Sequence, residues 1–210
     1  MLSELLIPAF VTLFVVIDPI GLLPVFVALT RGANTRERAL IALRSLGTAA
    51  ALLTLFGLFG LQVLAVFGIT MPAFRIAGGL LLFLTALDML FERRGQRRRD
   101  QSEPGLDPDE DPSIFPLAIP LIAGPGAIAA MILLAGQTSE PLEFLAVHLV
   151  MLAVLLVVLL LMLASSLIER ALSETGINVL TRLLGMLLAA LAVQFVLDGL
   201  ADFNLAGGTA

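Results

Sequence analysis

Asp18-Pro19-Ile20-Gly21 interrupts the first apolar run of this chain, and Gly124-Pro125-Gly126-Ala127 interrupts the fourth, 106 positions later. Further along, Gly68-Ile69 precedes Arg75-x-x-Gly78, and Gly176-Ile177 precedes Arg182-x-x-Gly185, with the two arginines 107 positions apart. One near-constant offset links helix breakers and lone arginines inside apolar segments. In a membrane protein this pattern points to two repeats, with a site where the broken helices meet.

The chain is 59% hydrophobic and its mean hydropathy is +1.05, well outside the range of soluble domains. Six apolar runs, at about 5–29, 40–66, 72–91, 114–136, 142–168 and 178–201, approach or exceed the ~20 residues that a helix needs to cross a bilayer. Backbone polar groups must be satisfied within hydrocarbon, which selects helices. The short alternating segments of a barrel are absent from the sequence. The expected fold is all-α: a polytopic membrane protein with six transmembrane helices in two inverted three-helix repeats. The first repeat covers 1–91, a cytoplasmic linker 92–112, and the second repeat 113–210. MLSELLIPAF lacks a basic leader region, so the first run is expected to remain as a transmembrane helix. The sequence contains no cysteine, which excludes disulfides and thiolate metal sites.

Orientation follows from arginine, which supplies all 12 basic residues besides the single histidine. Arg31, Arg36, Arg38 and Arg44 lie in or near the first loop, Arg93, Arg94, Arg97, Arg98 and Arg99 in the third, and Arg170 in the fifth. These loops share one side, so the positive-inside rule makes it cytoplasmic and puts both termini outside. The linker ERRGQRRRDQSEPGLDPDEDP is basic, then acidic, and reads as a solvated connection.

Three helices per half is an odd number, so the halves enter the membrane from opposite sides, related by a pseudo-two-fold axis in its plane. Pro19 lacks a backbone donor and clashes with the carbonyl four residues earlier. Asp at the N-cap followed by Pro at the first position is a favoured helix start, so Asp18-Pro19 begins a new half-helix. Gly124-Pro125 does the same in the fourth run, with glycine as the weaker cap. A half-helix N-terminus presents unpaired N–H groups and about half a positive charge, and such ends bind carboxylates. A pair of ligand-free proline kinks is the plainer alternative. An ionised carboxylate at mid-span costs ~3 kcal/mol on insertion scales, a cost that kinks alone do not require. Asp18 is therefore a candidate substrate ligand, proton carrier or cation ligand, unless it only caps its own half-helix. The candidate substrate-binding set is Asp18, Pro19, Gly21, Gly124, Pro125, Gly126 and Gln194.

Arg75 and Asp88 lie about 20 Å apart along one helix, so they cannot pair with each other. Inversion brings Arg75 to the same membrane face as Asp198, and Arg182 to that of Asp88, which allows two cross-repeat ion pairs. Independent snorkelling of each charge to water is the alternative. His148 is expected near the membrane interface. Gly47, Gly57, Gly60, Gly78, Gly79 and Gly185 are expected to let helices approach closely. No P-loop, HExxH or G-x-S-x-G stretch is present, and no nucleophile–base pair is visible, so an enzyme is not expected.

FVTLFVVIDPIGLLPVFVALT, GITMPAFRIAGGLLLFLTALDML, FPLAIPLIAGPGAI and LTRLLGMLLAALAVQFVLDGL resemble the characteristic segments of MarC-family integral membrane proteins, in the expected order and over nearly the whole chain. The resemblance implies six helices, a bacterial-type plasma membrane and transport of small neutral amino acids. That family commonly carries Asn where this chain has Asp18, a departure that bears on the charge of the pocket.

Two functions are open. The first is a secondary transporter or exporter of a small zwitterion. The half-helix ends would hold its carboxylate, and Asp18 would meet its ammonium group or carry a coupled proton. The expected partners are that small molecule and the lipid bilayer, with no nucleic acid and no metal or other cofactor, and the small-residue faces leave room for a homo-oligomer. The second is a non-transporting membrane subunit that acts by helix association. A polar midplane cavity favours the first, and dry packing around a paired Asp18 the second.

Overall fold

In the computed structural model of the chain, the structure describes residues 2–91, 93, 111–165, 167–168 and 174–207. Among the described residues the main segments are α1 (Leu2–Ile17), α2 (Pro19–Leu29), α3 (Thr35–Val66), α4 (Met71–Leu90), α5 (Ser113–Ile122), α6 (Pro125–Gly136), α7 (Pro141–Leu163) and α8 (Glu174–Gly207). No strand occurs among the described residues. Five spans are long and apolar enough to cross a membrane, with α1 and α2 together forming Leu5–Leu29. The pair α5–α6, bent by 57°, makes a sixth when taken as one span. Most of the 92–112 linker and Arg170 lie outside the described residues.

The helix boundaries follow local chemistry. Asn34 and Glu37 form a capping box, with the Glu37 N–H donating to Asn34 Oδ1 (3.0 Å) and the Asn34 N–H to Glu37 Oε2 (2.9 Å). It starts α3 at Thr35, earlier than the apolar run begins, because capping rather than hydropathy sets a helix start. The same helix ends in a Schellman turn: Gly68 takes φ 66, its N–H donates to Ala65 O, and the Ile69 N–H donates to Leu64 O. Gly176, which the sequence aligns with Gly68, instead lies inside α8.

The two broken spans form the centre of the bundle. Residues of α1–α2 are 61% buried over their apolar window, against 28–33% for α3, α4, α7 and α8. Eight residues of α6, from Ala127 to Ala135, are buried as well. Interrupted backbone is tolerated at membrane depth only where protein surrounds it, which explains why the broken helices are the inner ones. The outer helices turn apolar side chains such as Leu58, Leu84, Leu156 and Leu187 outward, where a bilayer replaces water as the solvent.

Glycines set the packing distances. A Cβ at Gly60 would lie 2.6 Å from Ile132, and one at Gly78 2.8 Å from Leu133, so α6 seats directly on α3 and α4. The antiparallel helices α4 and α8 pack along their length. A Cβ at Gly79 would meet Ala192 O at 2.8 Å, one at Gly185 would meet Ala86 O at 3.2 Å, and one at Gly199 would meet Pro72 O at 3.0 Å. Small residues at such seams let backbones approach closely, and van der Waals contact, rather than a hydrophobic force, holds helices together in lipid.

Candidate functional site at the helix breaks

Asp18 separates α1 from α2 and is 1% exposed. Its backbone is left-handed (φ 55, ψ 67), and its Oδ1 accepts from the Gly21 N–H at 3.1 Å. Local sequence explains the cap: Pro19 needs no donor at the first helical position, and the carboxylate satisfies a first-turn N–H that hydrogen-bonds nowhere else in the helix. The left-handed turn is less expected, since an N-cap is ordinarily extended. It nonetheless keeps the span hydrogen-bonded across the break. The Asp18 N–H donates to Phe14 O (3.0 Å), and the Leu22 N–H to Asp18 O (3.1 Å).

The second break is built differently. Gly124 is extended (φ −78, ψ 171), Pro125 opens α6, and no side chain caps the helix. A Cβ at Gly124 would fall 2.5 Å from Pro120 O, so the close approach of the α5 backbone requires glycine. Here α5 is an irregular segment rather than a continuous helix: Phe115 (φ −124, ψ 127) and Ile119 (φ −126, ψ 124) are extended, and hydrogen bonds such as the Ala123 N–H to Ala118 O at 2.8 Å reach back five residues.

The two breaks come together in space. A Cβ on Gly126 would lie 3.3 Å from Val16 of α1, 3.5 Å from Thr85 Oγ1 and 3.6 Å from Leu82 of α4. Val16, Thr85 and Leu82 are site neighbours that no sequence motif singled out. They belong to apolar runs whose facing direction only packing decides. A groove of about 390 Å³ between α4 and α6 runs to the break, lined by Phe74, Ala77, Gly78, Leu81, Pro125, Ile128, Ala129 and Ile132, all apolar. The described geometry is thus closed around Asp18, and the space beside Pro125 is greasy rather than polar.

Two expected placements need correction. Gln194 does not join a pocket: it lies on the exposed side of α8 and donates to Asp198 Oδ1 of the same helix at 2.7 Å. Arg75 does not pair with Asp198 but donates to Asp202. The reason is axial reach: the two carboxylates are four residues apart and share one face of α8, but Asp202 lies one turn nearer the start of α4, which packs beside Gly199 and toward which the Arg75 side chain leans. His148, in the second turn of α7, is 9% exposed and packed within the bundle. Its Nδ1 lies 2.9 Å from Phe144 O, and its Nε2 sits 2.7 Å from where a Gly57 Cβ would be. Arg182 and Asp88 lie toward the other end of the seam, where Gly185 packs on Ala86, Met89 and Leu90.

A bundle of apolar spans whose two broken inner helices touch near their breaks, one of them carrying a buried Asp18, defines a polytopic integral membrane protein. Residues 3–203 match the MarC family of integral membrane proteins, and the chain belongs to that family. It is 39% identical to a UPF0056 membrane protein of Methanocaldococcus jannaschii over 91% of this chain and 94% of that one. It is 39% identical to a UPF0056 membrane protein of Archaeoglobus fulgidus, covering 92% and 91% of the two chains. It is also 35% identical to the UPF0056 inner membrane protein YhgN of Escherichia coli (strain K12), covering 93% and 95%. No solved structure matches the chain.

Proposed function

We propose that this protein is a secondary transporter or exporter of a small zwitterion, such as a neutral amino acid, in a bacterial-type plasma membrane. The observation that carries this reading is Asp18: a carboxylate 1% exposed, at a break in the innermost span, beside the break of a second span. Intramembrane ionisable residues at such positions serve transport pathways far more often than packing. Because Asp18 already occupies the first turn of α2, the uncapped start of α6 is the end left for a substrate carboxylate. Asp18 then faces the ammonium group or carries a coupled proton. On this reading the closed packing around Asp18 is one state of that cycle.

Two inverted repeats underlie this mechanism, and several correspondences support them. The starts of α2 and α6, at Pro19 and Pro125, are 106 positions apart, as are those of α3 and α7, at Thr35 and Pro141. Gly79 and Gly185 share that offset, and so do Ala86 and Ala192, and the contact of Gly79 with Ala192 O is answered by that of Gly185 with Ala86 O. The packing of α1 on α7 is likewise matched by α5 on α3, and that of α3 on α6 by α7 on α2. Rocking of one repeat against the other supplies alternating access, with both termini outside.

Dry packing around Asp18 favours a second reading, a membrane subunit that acts by helix association. Uptake of a panel of small amino acids into proteoliposomes, with and without a proton gradient, separates the two. The transport reading expects uptake by the unaltered protein and its loss in Asp18→Leu. Absence of uptake for every substrate in both directions would leave the subunit reading.

A further inference from the structure

The two helix breaks hold opposite backbone conformations, and the left-handed one falls on the residue that is not glycine. Among the described residues, Asp18 is the non-glycine residue with positive φ (55°), whereas Gly124, its counterpart 106 positions on, is extended at φ −78 and ψ 171. Glycine takes the left-handed region freely, and an L-residue takes it at a cost. Local preference alone would give the left-handed conformation to Gly124 rather than to Asp18. An extended Asp18 would still be a good N-cap, because extended is the usual conformation for that role and the carboxylate still reaches the first turn. Surrounding packing therefore holds Asp18 where it is. Strain that persists only because its surroundings over-determine it is a mark of bistable elements.

We propose that Asp18 and Gly124 form a paired hinge. Exchange of their conformations, Asp18 to extended and Gly124 to left-handed, converts this closed arrangement into the alternate state of the transport cycle. This inference rests on the transport reading given above. Only glycine serves position 124 in both states. In the present one its Cα lies against Pro120, where a Cβ would fall 2.5 Å from the carbonyl oxygen, and in the other it adopts positive φ. The coupling is steric. Gly126, two residues beyond Gly124, faces Val16, two residues before Asp18, at a spacing where a Cβ would already be 3.3 Å away. Rotation of one half-helix is thus felt at the other break.

The chain lacks cysteine, so paired spin labels read the hinge directly. Cysteines replacing Ile7 and Arg31 flank the first break, and cysteines replacing Ile114 and Gln137 flank the second. All four positions are exposed. Interspin distances are measured on the full chain in lipid nanodiscs. Asp18→Thr keeps a capping oxygen, but its β-branch disfavours positive φ, whereas Asp18→Asn tolerates it. Relative to Asp18→Asn, Asp18→Thr is expected to raise a second distance population roughly tenfold in both label pairs together. An identical distribution in the two variants, or a change confined to the first pair, would overturn the proposal. If Asp18→Thr does not fold, Asp18→Ser takes its place with a smaller expected rise, and an unchanged distribution there also overturns it. Reciprocal distance changes without uptake of any substrate would support the hinge and remove the substrate reading. Uptake through a protein whose four labels never move would do the reverse.

Discussion

Arg75, near the start of α4, donates to the carboxylate of Asp202 on α8, 127 residues further along the chain. The arginine side chain is 14% exposed and the aspartate 43%, and Arg75 Nε is buried without a hydrogen-bond partner. Removing the carboxylate therefore leaves a largely enclosed guanidinium short of acceptors. Solvent screening at the half-open aspartate limits the loss. Asp202→Asn is expected to lower stability by about 1 kcal/mol, and Asp198→Asn by less than about 0.5 kcal/mol. Thermal unfolding of the purified protein in one detergent, with Arg75→Gln completing a double-mutant cycle, measures both.

The α4–α8 seam should tolerate no added side chain. Gly79→Val places a Cβ 2.8 Å from Ala192 O, and Gly185→Val one 2.9 Å from Met89 Cβ. Each change is expected to destabilise by roughly 1–3 kcal/mol or more through overpacking against backbone. Gly47→Ala is the control. Nothing lies within 4 Å of its Cβ position, so the gain in helix propensity of up to about 1 kcal/mol should appear as a higher unfolding temperature. A seam variant as stable as the unaltered protein would refute this packing.

Gly126 discriminates size. An alanine Cβ there sits 3.3–3.6 Å from Val16, Thr85 and Leu82, a spacing met by shifts of a few tenths of an ångström. Gly126→Ala should therefore keep most transport activity, and Gly126→Leu should abolish it while still inserting into the membrane. Uptake by proteoliposomes containing matched amounts of protein is the readout. Normal uptake by both Gly126→Leu and Asp18→Leu would place the transport site elsewhere.

The arginine distribution predicts cytoplasmic exposure of the 92–112 loop. Gly105→Cys, the only thiol in the resulting chain, should react with an impermeant maleimide in inverted vesicles and stay unlabelled in intact cells. Labelling from outside would reverse the topology.

Asp111 accepts from Arg44 at 2.8 Å across an exposed contact. The Ser113 hydroxyl beside it, the Ser113 backbone N–H and the Arg44 guanidinium together hold its carboxyl below the ordinary carboxylate value, against a smaller opposing effect of burial. A lowered folded value means that stability is present above the ordinary range and is lost as pH falls through the folded value. Because both side chains are exposed, the contribution should stay below about 1 kcal/mol. Asp111→Asn is expected to unfold at a slightly lower temperature than the unaltered protein at pH 7. That gap should close in acid, and a gap that persists below pH 2 would contradict the assignment.

Much of this protein was legible before its structure. Apolar run length alone placed the spans, because the bilayer imposes one length on every helix that crosses it. Asp18-Pro19 and Gly124-Pro125 announced the breaks, since proline geometry is local. What escaped was axial register. Asp198 and Asp202 are equally acidic and share one face, and the choice of Asp202 for Arg75 depends on how far α8 slides along α4, which the contact of Gly199 with Pro72 sets. The packing of His148 was equally hidden, because only the contact with α3 shows that Gly57 leaves room for its ring.

Composition and local breakers by themselves determined that the chain is a membrane protein of helical spans with two interrupted helices. Those properties follow from transfer energies and backbone sterics that act over a few residues. Only the tertiary structure decided that the interrupted helices are the inner ones, that Gly126 meets Val16, and that Asp18 is left-handed while Gly124 is extended. The Gly126–Val16 contact joins positions 110 apart, beyond the few residues over which local preference, worth roughly 1–2 kcal/mol at a single residue, acts.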